Sequence, residues 1–300
     1  MRSSRPASLR SPSPLAAGDR VRVVAPSSPF DAARLARGIA LIGSRYSISE
    51  GQALHTRTGY LAGDDASRLA DLQAALHDPR TRAIVPARGG YGATRLLPRL
   101  DPNEVAKADT WLVGFSDVTA LHALWFRAGL RSVHGPMACS LAEADSELQT
   151  AWFSLLEGQL PAPVSGLRCA RGGTASGILF GGNLAVLTAL VGTPYLPALN
   201  NVILLLEDVG ERPYRIDRML TTLLQSGALA DVRGVVLGQF TQCEPGADGQ
   251  SSEAVLIERL SQLKVPLVVG APVGHVDGNV PLLLGAQVEL DSSAGTLAFL

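Results

Sequence analysis

An α/β fold of two domains is predicted for this 300-residue chain: an N-terminal domain on a Rossmann-like parallel sheet, then a C-terminal mixed β/α domain. Three observations predict it. Apolar strand-like runs and helix-period segments alternate through the first half, which is the pattern of βα units that build a parallel sheet. Several of those runs end abruptly in polar, reactive or glycine-rich residues, as strands do where an α/β sheet presents its ligand-binding edge. Near the middle, Gln159-Leu-Pro-Ala-Pro-Val-Ser-Gly166 and Arg171-Gly-Gly-Thr-Ala-Ser-Gly177 break the alternation with linker-like composition.

Taken in order, residues 21–25 read as a first strand, and 31–42 and 64–76 as helices. The run 83–87 is a strand and a helix starts at Asn103. Residues 111–115 form a further strand, after which Val118, Leu121, Leu124, Trp125 and Ala128 recur at helical spacing with Gly129 as the stop. A helix over 146–157 closes the first domain. Beyond the break, 184–191 and 215–225 are helices. The second of these carries Ile216, Met219, Leu220, Leu223 and Leu224 on one face, with Gly227 just past its end. Apolar segments at 202–206, 232–237 and 287–300 supply strands. The expected organisation is a disordered Ser-, Pro- and Arg-rich tail over 1–19, a first domain over 20–158, a linker over 159–177 and a second domain over 178–300.

The sharpest local signal is Trp111-Leu-Val-Gly-Phe-Ser-Asp-Val-Thr119, where a strand stops at Ser116 and turns straight into a helix. Such a nucleophile elbow exposes the hydroxyl above the sheet edge and aims the following amides and the helix N-terminus at a developing oxyanion. Gly114 fits the G-x-S-x-G elbow pattern, while Val118 stands where the second glycine would be. Asp117 is expected to cap the helix, and a Ser-Asp pair that does nothing but cap is the bland alternative.

Other strand ends carry matching chemistry. The run 83–87 ends in Arg88-Gly-Gly-Tyr-Gly92, 202–206 ends in Glu207-Asp208, and Val265-Pro-Leu-Val-Val-Gly-Ala-Pro-Val-Gly274 ends in His275. A serine, a histidine and a carboxylate make a hydrolytic constellation, with Ser116 attacking, His275 as general base and Glu207 orienting it. Asp208 and Glu211 compete for the carboxylate role, and Glu207 is preferred because it directly follows five apolar residues. His134, in Ser132-Val-His-Gly-Pro136, competes with His275, whose setting in Gly274-His-Val-Asp-Gly-Asn279 reads as a flexible loop. His55, His77 and His122 read as surface or packing residues. A metal site of His275 with Glu207 or Asp277 lacks H-E-x-x-H, C-x-x-C or a second nearby histidine, so neither metal nor cofactor is expected. Arg88 suits a terminal carboxylate, which a guanidinium grips with two parallel hydrogen bonds. A structural tie is its plainer role. Gly89, Gly90 and Gly92 let backbone amides approach a substrate, and such loops also cradle phosphates.

Composition bounds the rest. A chain that is 46% hydrophobic and 18% charged can bury two cores. A net charge of −1 gives no long-range attraction to nucleic acid or anionic membrane, and no apolar run approaches the ~20 residues of a membrane span. Three separated cysteines, Cys139, Cys169 and Cys243, suit reduced thiols in a cytoplasm. The first 19 residues lack the continuous apolar core of a secretory signal.

Beyond these local readings, the chain resembles the LD-carboxypeptidases, the muramoyltetrapeptide carboxypeptidases of the S66 serine peptidases. The resemblance runs through Arg22-Val-Val-Ala-Pro-Ser-Ser28, Gly59-Tyr-Leu-Ala-Gly63, Ala87-Arg-Gly-Gly-Tyr-Gly92, Gly114-Phe-Ser-Asp117 and His134-Gly-Pro136. It continues through Gly181-Gly-Asn-Leu184, Glu207-Asp-Val-Gly-Glu-Arg-Pro-Tyr-Arg-Ile-Asp-Arg218 and Gly274-His275. It implies a Ser116–Glu207–His275 triad, an oxyanion hole of the Asp117 and Gly90 amides, and release of the terminal D-alanine of a murein tetrapeptide in cytoplasmic peptidoglycan recycling by a homodimer. With the nucleophile in the first domain and its partners in the second, an active site at the domain interface and hinge motion about 159–177 are expected. The alternatives are a microcin C immunity-like hydrolase of aminoacyl nucleotides, an α/β-hydrolase esterase, and a non-hydrolytic nucleotide- or sugar-phosphate-binding module. Against the last, Arg88-Gly-Gly-Tyr-Gly-Ala93 is neither G-x-G-x-x-G nor a P-loop.

Overall fold

A computed structural model describes residues 9–247 and 249–300. Within the described residues it divides into two compact units, one of residues 9–160 with 280–283 and one of 161–279 with 284–300. Each is built on its own sheet.

In the first unit, strands and helices alternate as β1 (Arg20–Val24), α1 (Ala32–Gly43), β2 (Ser47–Glu50), α2 (Asp65–His77), β3 (Thr81–Pro86), α3 (Pro102–Ala108), β4 (Trp111–Gly114), α4 (Thr119–Arg127), β5 (Ser132–His134), α5 (Ala138–Leu141) and α6 (Ser146–Leu156). The helix starts follow from their caps. Asp31, Asp64 and Asp145 each accept the amide three residues on, an interaction whose loss typically costs ~1 kcal/mol. Strands β2, β1, β3, β4 and β5 lie side by side in parallel. That order is doubly wound, with its topological switch point between β1 and β3, where ligands bind in open α/β sheets. Every position of β4, and every position of β3 but Arg82, is buried, as expected of a parallel sheet covered on both faces.

The second unit contains β6 (Arg168–Arg171), β7 (Thr174–Asn183), α7 (Leu184–Ala189), β8 (Val202–Val209), α8 (Pro213–Gln225), β9 (Gly234–Thr241), α9 (Ser252–Leu260) and β10 (Leu267–Val269). Strand β11 (Leu282–Leu284) joins the first sheet beside β5, and β12 (Gln287–Asp291) and β13 (Thr296–Phe299) complete the second. The second sheet is mixed: β7 to β10 are parallel, while β12, β13 and β6 pair antiparallel at its edges.

Two sequence expectations need correction. Residues 9–19, expected as part of a disordered tail, are tied to the first unit. Leu9 and Leu15 are buried, the Leu15 amide donates to Leu156 O at 2.9 Å, Arg10 pairs with Asp109, and the Trp111 indole donates to Ser13 O at 3.1 Å. The remainder of that expected tail, 1–8, lies outside the described residues. Within the expected linker, 168–171 and 174–177 are strand. Their polar composition reflects an edge: β6 is largely exposed and, among the described residues, pairs only with β10, so no apolar alternation marks it.

Candidate active site

Strand β4 delivers Ser116 at the sheet edge beside the switch point. Its φ is 61°, a left-handed backbone that costs a serine on the order of 1 kcal/mol and that clusters at functional turns. The surroundings hold it there. A Cβ on Gly114 would lie 2.8 Å from Val118 Cγ1, so Val118 packs over the first elbow glycine and occupies the space that a second would leave open. Beneath, His122 Nε2 and the Gly135 amide both donate to Gly114 O, at 2.8 and 3.1 Å.

The glycine loop after β3 runs against the elbow. A Cβ on Gly89 would lie 2.9 Å from Ser116 Cβ and 3.0 Å from its Oγ, so only glycine lets backbone come this close to the hydroxyl. Gly90 has φ 113° and stands over Ser28, whose Oγ accepts the Tyr91 amide at 3.1 Å. Arg88 is exposed, and its Nη1 donates to Pro29 O at 3.2 Å.

Asp117 departs from expectation. Its carboxylate does not cap the following helix; it is 2% exposed and accepts from Ser27 Oγ at 2.6 Å and from the Ala93 amide at 2.8 Å. The corner that turns Ser116 outward sends the next side chain inward. Burial raises its pKa, while Ser27, the Ala93 and Gly92 amides and the Arg68 charge oppose the rise. Arg68 is itself buried, donating to Pro26 O and pairing with Asp65. Sequence reading missed both Ser27 and Arg68.

His122 and His134 are wholly buried, their rings stacked 6.5 Å apart. Desolvation lowers the His122 pKa to about 4, against the opposing bond to Gly114 O. With Nε2 donating, Nδ1 accepts from Ser132 Oγ at 2.8 Å. The unfolded chain then holds more protons on this group between about pH 6.5 and pH 4, so the stability it contributes is complete above 6.5 and is lost as pH falls through that window. Up to about 3 kcal/mol is involved. Urea unfolding from pH 7 to 4 is expected to show a smaller acid loss in His122→Asn than in the parent; equal losses would contradict the assignment.

In the second unit, β8 sorts the competing carboxylates by strand alternation. Glu207 is wholly buried, and its Oε2 accepts from His275 Nδ1 at 2.8 Å. Asp208 faces the other way, taking the Asn183 amide group and the Ala185 amide, both at 2.9 Å, at the start of α7. Burial raises its pKa to about 6 despite these donors, and the neighbouring Glu207 charge adds to the rise. Glu211 faces Arg215 across 3.8 Å.

The His275 loop, expected to be flexible, is tied at several points. The Gly274 amide donates to Asn279 Oδ1 at 2.9 Å, Gln239 N to Val273 O at 2.9 Å, and Thr241 Oγ1 to His275 O at 3.1 Å. The imidazole side chain is 22% exposed. With the proton assigned to Nδ1 by the carboxylate, the neutral ring carries its lone pair on Nε2. Gly274 has φ 115°, and a Cβ there would lie 2.8 Å from Glu207 Oε2. Gly274→Ala is therefore expected to displace the carboxylate and cost on the order of 10²-fold in turnover; a kcat within twofold of the parent would contradict this. Among the described residues, no group of three or more His, Cys, Asp or Glu is placed to hold a metal ion, and no helix is long and apolar enough to cross a membrane.

The structure thus gathers Ser116, Asp117, Arg88, Gly89 and Gly90 on one sheet edge of the first unit, and pairs Glu207 with His275 in the second. Comparison with known proteins gives two family matches, the LD-carboxypeptidase N-terminal domain over residues 21–135 and the LD-carboxypeptidase C-terminal domain over 176–290. The murein tetrapeptide carboxypeptidase of Pseudomonas aeruginosa is 35% identical, over 91% of this chain and 92% of that protein. A crystal structure of muramoyltetrapeptide carboxypeptidase from Oxalobacter formigenes is 32% identical with a TM-score of 0.82, covering 93% of this chain and 97% of that one. MccF in complex with glutamyl sulfamoyl guanosine shares the fold, with a TM-score of 0.86 at 20% identity over 96% of this chain and 97% of the other.

Proposed function

From its membership of the LD-carboxypeptidase family, to which this chain belongs, we propose that this hydrolase releases the terminal D-alanine of murein tetrapeptides with Ser116 as nucleophile, His275 as general base and Glu207 as its orienting partner. The observation that carries the reading is the left-handed Ser116 at a strand-to-helix corner, with Gly89 backbone against its hydroxyl. The name of the P. aeruginosa relative supports the substrate.

The chemistry follows from the groups. Ser116 Oγ attacks the carbonyl carbon of the residue before the terminal D-alanine, while His275 Nε2 takes the hydroxyl proton. The imidazolium is stabilised by the buried Glu207 carboxylate at Nδ1. The new oxyanion is taken by the amides of Asp117 and Gly90, backbone donors of the kind that stabilises such charge in a site preorganised for it. Collapse breaks the C–N bond, the Nε2 proton passes to the departing amine, and D-alanine leaves with a seryl ester behind. Water, deprotonated by His275, hydrolyses that ester, restoring Ser116 and releasing the tripeptide. Arg88 supplies a guanidinium for the free terminal carboxylate. The reading includes a homodimer acting in the cytoplasm.

Competing substrates test it. The expected kcat/KM for a muramoyl tetrapeptide exceeds that for an aminoacyl sulfamoyl nucleotide by at least about 100-fold, a discrimination of roughly 2.7 kcal/mol. The reverse preference would replace the peptidase reading with the nucleotide one.

A further inference from the structure

We propose that the Asp117 carboxylate is a positioning residue that fixes the separation of the two oxyanion-hole amides, its own and that of Gly90. The proposal rests on the serine-hydrolase reading and adds the device that sets its geometry. The glycine loop is held by side chains and amides of neighbouring loops. Gly90 and Gly92 adopt φ of 113° and 132°, and residues 88–92 lie outside any helix or strand. Three glycines in such a stretch leave the backbone wide freedom. Ser28 brackets Gly90, its amide donating to Gly89 O at 3.3 Å and its Oγ taking the Tyr91 amide at 3.1 Å. The loop's end is held by Asp117, which takes the amide of Ala93 at 2.8 Å. The same carboxylate oxygen takes the Ser27 hydroxyl, so the ends of β1, β3 and β4 converge on one buried group. Because the Asp117 main chain belongs to the elbow, a single residue contributes one wall of the hole and holds the other.

The chemistry demands this accuracy. Oxyanion donors act within roughly 2.7–3.1 Å of the developing charge, and a misplacement of about 1 Å costs on the order of 10²-fold. The geometry also distinguishes this role from capping, since the carboxylate's hydrogen-bond partners, Ser27 and Ala93, lie outside the helix that follows it. Asparagine at 117 keeps the shape but offers Ser27 and Ala93 a neutral oxygen in place of a charged one, and charge-assisted hydrogen bonds are roughly twice as strong as neutral ones.

Two readouts on Asp117→Asn and Ser27→Ala decide it: the rate at which a fluorophosphonate labels Ser116, and amide hydrogen exchange over residues 89–93. In Asp117→Asn, labelling is expected to fall about 10- to 100-fold and loop exchange to rise at least about tenfold, with β4 and α4 protection and KM for peptide unchanged. Ser27→Ala, which removes one bond and leaves the carboxylate in place, is expected to slow labelling about two- to fivefold. Labelling within twofold of the parent in both variants would overturn the proposal. So would slowed labelling with loop exchange unchanged, or with protection lost throughout β4 and α4. A parent chain that does not label contradicts the serine-hydrolase reading and the catalytic half of the proposal with it; loop exchange then separately decides whether the carboxylate holds the loop.

Discussion

Ser116→Ala is expected to lower kcat for D-alanine release by on the order of 10⁴-fold or more, with KM little changed. The reasoning is local. In the proposed mechanism the hydroxyl makes the covalent bond to the acyl group, and no other described hydroxyl takes its place at the corner, where Gly89 backbone lies against Ser116 Oγ. Alanine bears the φ of 61° at much the same cost as serine, so the elbow, the Asp117 contacts and the fold persist. Thermal unfolding within about 2 °C of the parent is expected beside the lost turnover. A joint collapse of both would assign Ser116 to stability rather than chemistry.

Glu207→Gln is expected to cost on the order of 10⁴-fold in kcat while leaving the chain folded. The substitution is isosteric in a site enclosed by Gly238 and Gly274, whose added Cβ atoms would lie 3.2 and 3.0 Å from Glu207 Cβ. Its effect is therefore electronic. The neutral amide removes the charge that stabilises the imidazolium in the proposed mechanism, and an NH₂ turned toward His275 Nδ1 moves the ring proton to Nε2, the nitrogen proposed to accept the serine proton. Asp208→Asn makes the contrasting control. That carboxylate is committed to Asn183 and Ala185 at the start of α7, so its loss falls on stability before turnover. Equal kcat losses for the two substitutions would contradict the division of labour along β8.

What could be read from sequence follows from where the information lies. The elbow was legible because a strand composition over 111–115 gives way to helical spacing within a few residues, and β4 and α4 fall there. The choice of Glu207 over Asp208 was only weakly legible: β8 is buried on both faces, so no polar alternation shows which side each carboxylate takes, although alternation itself guarantees that they separate. Asp117 was misread as a cap because its partners, Ser27 and Ala93, are 90 and 24 residues away. Residues 9–19 were misread because Ser, Pro and Arg outnumber the two anchors that matter, Leu9 and Leu15. The return of β11 to the first sheet has no local signature at all, since it depends on pairing with β5, some 150 residues earlier in the chain.

The most direct test of the central claim pairs two substrates with the unaltered enzyme: a muramoyl tetrapeptide ending in D-alanine and its diastereomer ending in L-alanine, with free alanine and tripeptide measured together. The account predicts equimolar D-alanine and tripeptide from the first, at least about 100-fold less cleavage of the second, and neither product when Ser116→Ala replaces the parent. Undiminished release by Ser116→Ala, or no release of D-alanine by the parent, would contradict it.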